Sequence, residues 1–459
     1  MSLLINLSRA TWTKPLRSSF ARSLVVLTSS SLLQSLITFA SAPIIARLFA
    51  PEDFGIFGLI QALEAIPLLI ATGQYYLALG IARSRSESIN IAALSMILAP
   101  MLALVLLVPA LLLHARPELL PSFLIPAAPY LWVIPASMVA SGVVFVTRLW
   151  EIRHAHYGSM VINRLIESSG IATAQIGLGL LGAGPLGLIF GRLFATIATG
   201  AHGLKLLFNQ IGRGGLRAIS LRRMRAVAAR HWRFPTYQLS ANALTEVARQ
   251  MVPLLLALFY SLESVGFYWF ANRLLERVAN IWGSNVGRVF YQHAADRRRV
   301  RQHVSRLFWR TTSLLFITAI IPFGLVIAYG PLLFSLVFGA DWEVAGHYAR
   351  WIAFVNFVML VAFPARGATA LFDLQGIFAV VEAIRAVAGA LALILVAMHG
   401  GGALLAVGAS ATAQSLIMLG FIAFVTIRLR QLDRKNWAAP TLAGGPQAEG
   451  PPNADWKSD

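Results

Sequence analysis

The sequence predicts an all-α integral membrane protein of about twelve transmembrane helices. They form two six-helix lobes related by a parallel pseudo-two-fold repeat, with the N and C termini cytoplasmic. Three observations carry this prediction: an apolar, charge-poor composition, a one-sided distribution of arginine, and a hairpin sequence that occurs twice. Of 459 residues, 57% are hydrophobic and only 12% charged, about half the charged share of an ordinary soluble domain. Mean hydropathy is +0.69. The deficit of charge runs through most of the length, which excludes a soluble body on a single anchor.

A spanning helix needs about 20 mainly apolar residues. Twelve windows satisfy this: residues 23–46, 55–80, 90–114, 124–147, 160–182, 186–207, 235–259, 264–290, 311–332, 347–370, 376–398 and 402–427. Ala40-Ser41-Ala42 imitates a signal-peptide cleavage site. Pro43 would follow the cut, however, and a long polar segment precedes the window, so the first window is read as a retained helix.

The arginines orient the windows. With the N-terminus inside, the cytoplasmic segments hold 28 of the 38 basic residues, against Arg47, Arg116 and Arg350 outside. That bias supports twelve spans with both ends inside. Net charge is +19, which in a soluble protein would suggest nucleic acid. Here the arginines fall in short gaps between apolar runs, so no nucleic-acid partner is expected. Cysteine is absent, which excludes disulfides and thiolate metal sites; no metal or cofactor is expected. The outer loops are all short, the longest being residues 333–346, which leaves little room for chemistry outside the membrane.

The repeat divides the chain. In APIIARLFAPEDFGIFGLIQ (42–61) and VPLLLALFYSLESVGFYWFAN (252–272), Pro43 matches Pro253 and Leu48-Phe49 matches Leu258-Phe259. After a one-residue insertion, Glu52 matches Glu263 and Gly55 matches Gly266. Each stretch is an outer hairpin, and together they pair spans 1–2 with spans 7–8. Six spans per half bring both halves into the membrane in the same direction, a common transporter plan. The expected domains are an N-terminal lobe (1–208), a cytoplasmic inter-lobe loop (209–234), a C-terminal lobe (235–430) and a disordered tail (431–459).

Six arginines fall within the windows: Arg164, Arg192, Arg249, Arg273, Arg277 and Arg385. Each costs about 2.5–3.5 kcal/mol at a bilayer centre even on the lenient insertion scale, so they must face partners or a wet cavity. In the eighth span, Arg273, Glu276, Arg277, Asn280, Ser284 and Arg288 form one helical face. The seventh carries Gln238, Asn242, Thr245, Glu246 and Arg249. The first carries Ser30, Gln34, Thr38 and Ser41, and the second Gln61 and Glu64. The repeated elements are therefore also the spans with polar faces, which implies a central cavity between lobes.

Arg277, Arg273, Arg249, Asn280, Gln34 and Gln61 are the candidate substrate contacts. Glu64, Glu246 and Glu276 are the candidate ion-coupling acids. Against this, Arg164/Glu167, Glu246/Arg249, Arg273/Glu276 and Glu382/Arg385 are three residues apart and can pair within a helix. Arg277 and Arg192 lack such a neighbour, and Glu64 stands isolated. Gly177–Gly182 matches GxGxxG but ends an apolar span with no strand before it, so it is helix packing, as is Gly187/Gly191. His154 and His156 lack any carboxylate-rich metal pattern. Arg297–Arg301 reads as a topology signal and anionic-lipid anchor.

RLFAPEDFGIFGLIQAL after a polar first span resembles the first hairpin of the bacterial polysaccharide-unit flippases, the oligosaccharide branch of the multidrug/oligosaccharidyl-lipid/polysaccharide exporter superfamily. Phe234-Pro235 to Val289-Phe290-Tyr291 is similar to their seventh and eighth spans. Phe338-Gly339-Ala340-Asp341-Trp342 resembles the family's outer FG-x-x-W. The resemblance implies alternating access between two lobes and movement of an undecaprenyl-diphosphate-linked oligosaccharide from inner to outer leaflet. Membrane lipids and other polysaccharide-assembly membrane proteins would be its partners in the bacterial inner membrane. The residues agree with that cargo: guanidinium forks bind phosphate oxygens bidentately, and amides and hydroxyls suit sugars. Two alternatives stay open, a cation-coupled multidrug exporter of the same superfamily and a membrane polysaccharide polymerase or ligase. The first favours a carboxylate-dominated cavity, and the second needs a sizeable outer domain.

Overall fold

The computed structural model describes residues 19–299 and 303–438, and the described residues form helices and connecting turns without a strand. In order, α1 is Ser19–Leu48, α2 Pro51–Ile70, α3 Arg85–Ala115, α4 Val133–Arg153, α5 Tyr157–Leu180 and α6 Pro185–Leu216. A short α7 (Leu221–Arg230) leads to α8 (Leu239–Phe259), α9 (Leu262–Arg299), α10 (Val304–Phe338), α11 (Glu343–Val361) and α12 (Phe363–Leu371). Helices α13 (Gln375–Met398) and α14 (Ala403–Ala438) complete the chain.

Each predicted window overlaps a long helix, but 55–80 and 124–147 also take in short 3-10 helices, Tyr75–Ile81 and Ser122–Tyr130, and 347–370 is divided between α11 and α12. Eight of the helices are long and apolar enough to cross a membrane. The other long helices, α5, α6, α8 and α9, are the ones that carry Arg164, Arg192, Arg249, Arg273 and Arg277. Their polar faces, not their lengths, take them below the same hydropathy. Large apolar side chains stand exposed along the outside, among them Leu104, Val108, Leu181 and Leu336. Water would penalise such a belt, whereas lipid tails accept it.

Helices pack in two groups. In the first half α5 lies against α1 and α6, and α4 against α3 and α6; in the second, α11 lies against α9, α10 and α14, and α13 against α14. The two groups meet chiefly where α2 packs along α9 and α8. The connection between them is largely helical, not an irregular loop. Ser220 caps α7 by accepting from Arg223 N at 3.2 Å, and α7 buries Met224 and Val227. The last helix runs to Ala438, beyond the expected tail boundary at 431; residues 439–459, which hold most of that tail, lie outside the described residues, as do 300–302 within the arginine run.

The repeated hairpins occupy equivalent places. Pro43 and Pro253 lie inside α1 and α8 near their ends, and Glu52 and Glu263 sit in the first turns of α2 and α9. Acids there complement the positive end of the helix dipole. Gly55 and Gly266 bring the backbones of the two halves into close contact. A Cβ on Gly55 would stand 2.0 Å from the Leu262 carbonyl oxygen, and one on Gly266 1.9 Å from that of Pro51.

Beside these glycines an aromatic cluster seals the same end. Trp342 is 1% exposed, its ring centroid lies 5.0 Å from that of Phe54 and 4.3 Å from that of Phe270, and its indole N–H donates to the Ala46 carbonyl at 2.8 Å. The turn that delivers Trp342 starts at Gly339, whose φ of 116° suits glycine. The seal therefore joins α1 and α2 of the first half to α9 and the turn after α10 of the second.

Candidate functional site

On the other side of the seal, a cavity of about 690 Å³ lies between the halves. All nine candidate residues line it: Arg277, Arg273, Arg249, Asn280, Gln34, Gln61, Glu64, Glu246 and Glu276. Helical periodicity places them there, because the stripes of α1, α2, α8 and α9 converge. Arg192 of α6, marked in the sequence as an arginine within a span but not among the candidate contacts, completes the wall. Ser284 and Arg288, at the C-terminal end of the stripe, lie outside the described side chains. A smaller chamber of about 250 Å³ continues toward the aromatic seal and shares Arg192, Arg273 and Arg277 with the larger one.

The charges are unevenly satisfied. Arg277 Nη1 donates to Thr38 Oγ1 at 2.8 Å. The Arg273 guanidinium lies over the Trp269 ring, 4.9 Å from its centroid, a contact of about 0.5–2 kcal/mol. Neither has a carboxylate partner among the described residues. Arg249 faces Glu276 at 3.5 Å and Glu246 at 3.9 Å, and Glu246 also accepts from Gln250 at 2.6 Å.

Several expected pairings differ. Glu64 is not isolated, and Arg192 is not without an acid: the two pair across 128 residues of sequence. Glu276 faces Arg249 of α8 instead of Arg273. Glu167 pairs with Arg148 of α4 at 2.9 Å, while Arg164 donates to Ser30 and Ser31 of α1 at 2.9 and 2.6 Å. Glu246/Arg249 and Glu382/Arg385 do pair within their helices, the latter at 2.7 Å. Intrahelical spacing makes a pair reachable, but packed helices offer competitors that spacing cannot register.

The Glu64 side chain is 4% exposed, so Arg192→Ala leaves a buried carboxylate alone. The expected cost is about 3–5 kcal/mol, read as a lower unfolding temperature in detergent. Glu64→Gln combined with Arg192→Gln should recover much of it. An Arg192→Ala protein as stable as the parent would show that the pair does not hold the fold.

The two helical groups, the lipid-facing belt and the buried polar cavity define a multi-pass membrane protein with a transporter fold. An inward-facing multidrug-resistance MATE-family transporter of the MOP superfamily shares it at a TM-score of 0.64 and 14% identity, over 90% of this chain and 99% of that one. The lipid II flippase MurJ in an inward closed conformation gives 0.65 and 11%, over 89% and 92%. A MOP-superfamily transporter from Pyrococcus furiosus, described as having a binding pocket of reverse polarity, gives 0.57 and 13%, over 93% and 99%. No curated protein matches. The chain belongs to the polysaccharide biosynthesis protein family, whose pattern matches residues 20–291.

Proposed function

We propose that this protein flips undecaprenyl-diphosphate-linked oligosaccharide units across the bacterial cytoplasmic membrane for surface polysaccharide synthesis. The observation that carries the reading is the cavity wall where Arg273 and Arg277 stand without carboxylate partners beside Arg192. Two guanidinium groups facing one space, away from bulk water, repel each other, and a diphosphate relieves that repulsion while accepting their N–H groups. Gln34, Gln61 and Asn280 supply amides for sugar hydroxyls in the wider chamber. In this reading twelve helices span as two lobes with both termini cytoplasmic, and the cavity opens to the cytoplasmic side. Alternating access then requires the aromatic seal to part as the inner ends close.

A cationic drug would need free carboxylates, yet Glu64, Glu246 and Glu276 each already face an arginine. The reading is tested with purified protein in liposomes that carry a fluorescent undecaprenyl-diphosphate oligosaccharide. The sugar should reach the opposite leaflet, scored by access to an added glycosidase, faster than in protein-free vesicles. Equal rates, with export of a cationic dye instead, would reject it.

A further inference from the structure

Away from the cavity, the first half holds a second buried polar cluster. Glu151, in the last turn of α4, is 2% exposed. Asn163 of α5 donates its Nδ2 to Glu151 Oε1 at 2.6 Å, and the Asn163 carbonyl lies 2.6 Å from His202 Nδ1 of α6. An amide oxygen only accepts, so His202 donates through Nδ1. The second carboxylate oxygen, Glu151 Oε2, has no hydrogen-bond partner among the described residues. Glu151 also lines a void of about 10 Å³, room for roughly one water. The cationic groups on that void are Arg148 from α4 and Arg164 from α5, and both are engaged elsewhere, with Glu167 and with Ser30 and Ser31. Thr147 and Thr199 are its neutral polar walls. Arg153, just beyond, donates to the carbonyls of Leu79 and Ala82 at 2.7 and 2.6 Å. A buried carboxylate with one bare oxygen beside a water-sized void is a place for a proton, not for a fixed charge.

Arg148 connects this place to the cavity. It precedes Glu151 by three residues, within reach on one helix face. Its present partner, Glu167, lines the smaller chamber together with Arg273 and Arg277. Arg148 thus stands between two acids, one in the void and one facing the arginines.

We propose that Glu151 is a proton-loading site whose charge is passed through Arg148 to the substrate chamber. With Oε2 protonated, Arg148 holds Glu167, as observed. When the Oε2–H bond breaks and water at the end of α4 takes the proton, Arg148 turns to the new carboxylate. Glu167 is then released toward Arg273 and Arg277 and competes with a bound diphosphate. One proton leaves for each such release, and no other bond changes. The second half of this proposal rests on the diphosphate reading; the first does not.

The test uses the full-length protein in lipid bilayers. Infrared difference titration should show a carboxylic-acid carbonyl band that disappears as pH rises and that Glu151→Gln lacks, while the unfolding temperature of that variant stays near the parent's. Retention of the band in Glu151→Gln overturns the proposal. Binding of undecaprenyl diphosphate should weaken by about tenfold across the same titration, in the range of ordinary coupling between sites. Glu151→Gln should bind with the low-pH affinity throughout, and Glu167→Gln should lose the pH dependence while keeping the infrared band. Unaltered pH dependence of binding in Glu151→Gln also overturns the coupling. If undecaprenyl diphosphate binds at no pH but the band is lost in Glu151→Gln, the proton site stands and the diphosphate reading fails.

Discussion

Replacing Arg277 with alanine is expected to abolish transport of a lipid-linked oligosaccharide while the protein still inserts and accumulates. Among the described residues the side chain makes one hydrogen bond, to Thr38 of α1, so little of the fold depends on it. Its charge, in contrast, faces both chambers. Loss of a charge-assisted, two-pronged contact to phosphate costs about 3 kcal/mol, more than a hundredfold in binding. Arg277→Lys keeps the charge but not the planar fork and should fall between the two. Transport in liposomes and binding of undecaprenyl diphosphate measure the effect. Normal transport by Arg277→Ala would remove this residue from the path, and failure of the variant to accumulate would assign it a role in folding.

Gly266→Ala should have the largest effect on the fold. The added methyl meets the backbone oxygen of Pro51, which no rotamer change can move aside, and Gly55→Ala meets that of Leu262 in the mirrored position. Overpacking ordinarily costs about 1–3 kcal/mol and occasionally more; a clash with backbone belongs at the upper end. The relief available is separation of the two repeated hairpins, so the seal should loosen. Because the chain has no cysteine, Ser41→Cys, on the smaller chamber, gives a clean reporter. It should react with an impermeant thiol reagent from the outer face in the Gly266→Ala background and stay protected in the parent. An unchanged unfolding temperature with continued protection would show that the contact is slack.

The fold and the cavity were legible in sequence to different depths. Stripes such as Arg273/Glu276/Arg277/Asn280 announced a polar face because helical periodicity is local. The repeat then indicated which faces meet, since Gly55 and Gly266 occupy matching places in two hairpins. Partner choice was not legible. Arg192 and Glu64 pair from helices far apart in sequence, and Glu276 turns to Arg249 because α8 brings a second guanidinium within 3.5 Å. Glu151, Asn163 and His202 left no periodic trace at all. They lie on three helices, each at an unremarkable position, and only packing assembles them.

The glycine contact sets a mechanical ratio. Helix α9 has 38 residues and is therefore about 57 Å long, with Gly266 close to one end. A body pinned there acts as a lever with nearly all its length on the far side of the fulcrum. A tilt of about 10° moves the distant tip by roughly 10 Å at that length, yet disturbs the pivot by a fraction of a side chain. Wide excursions at the arginine-rich end can thus begin with the glycines nearly still, and parting of the seal requires that this contact itself be released.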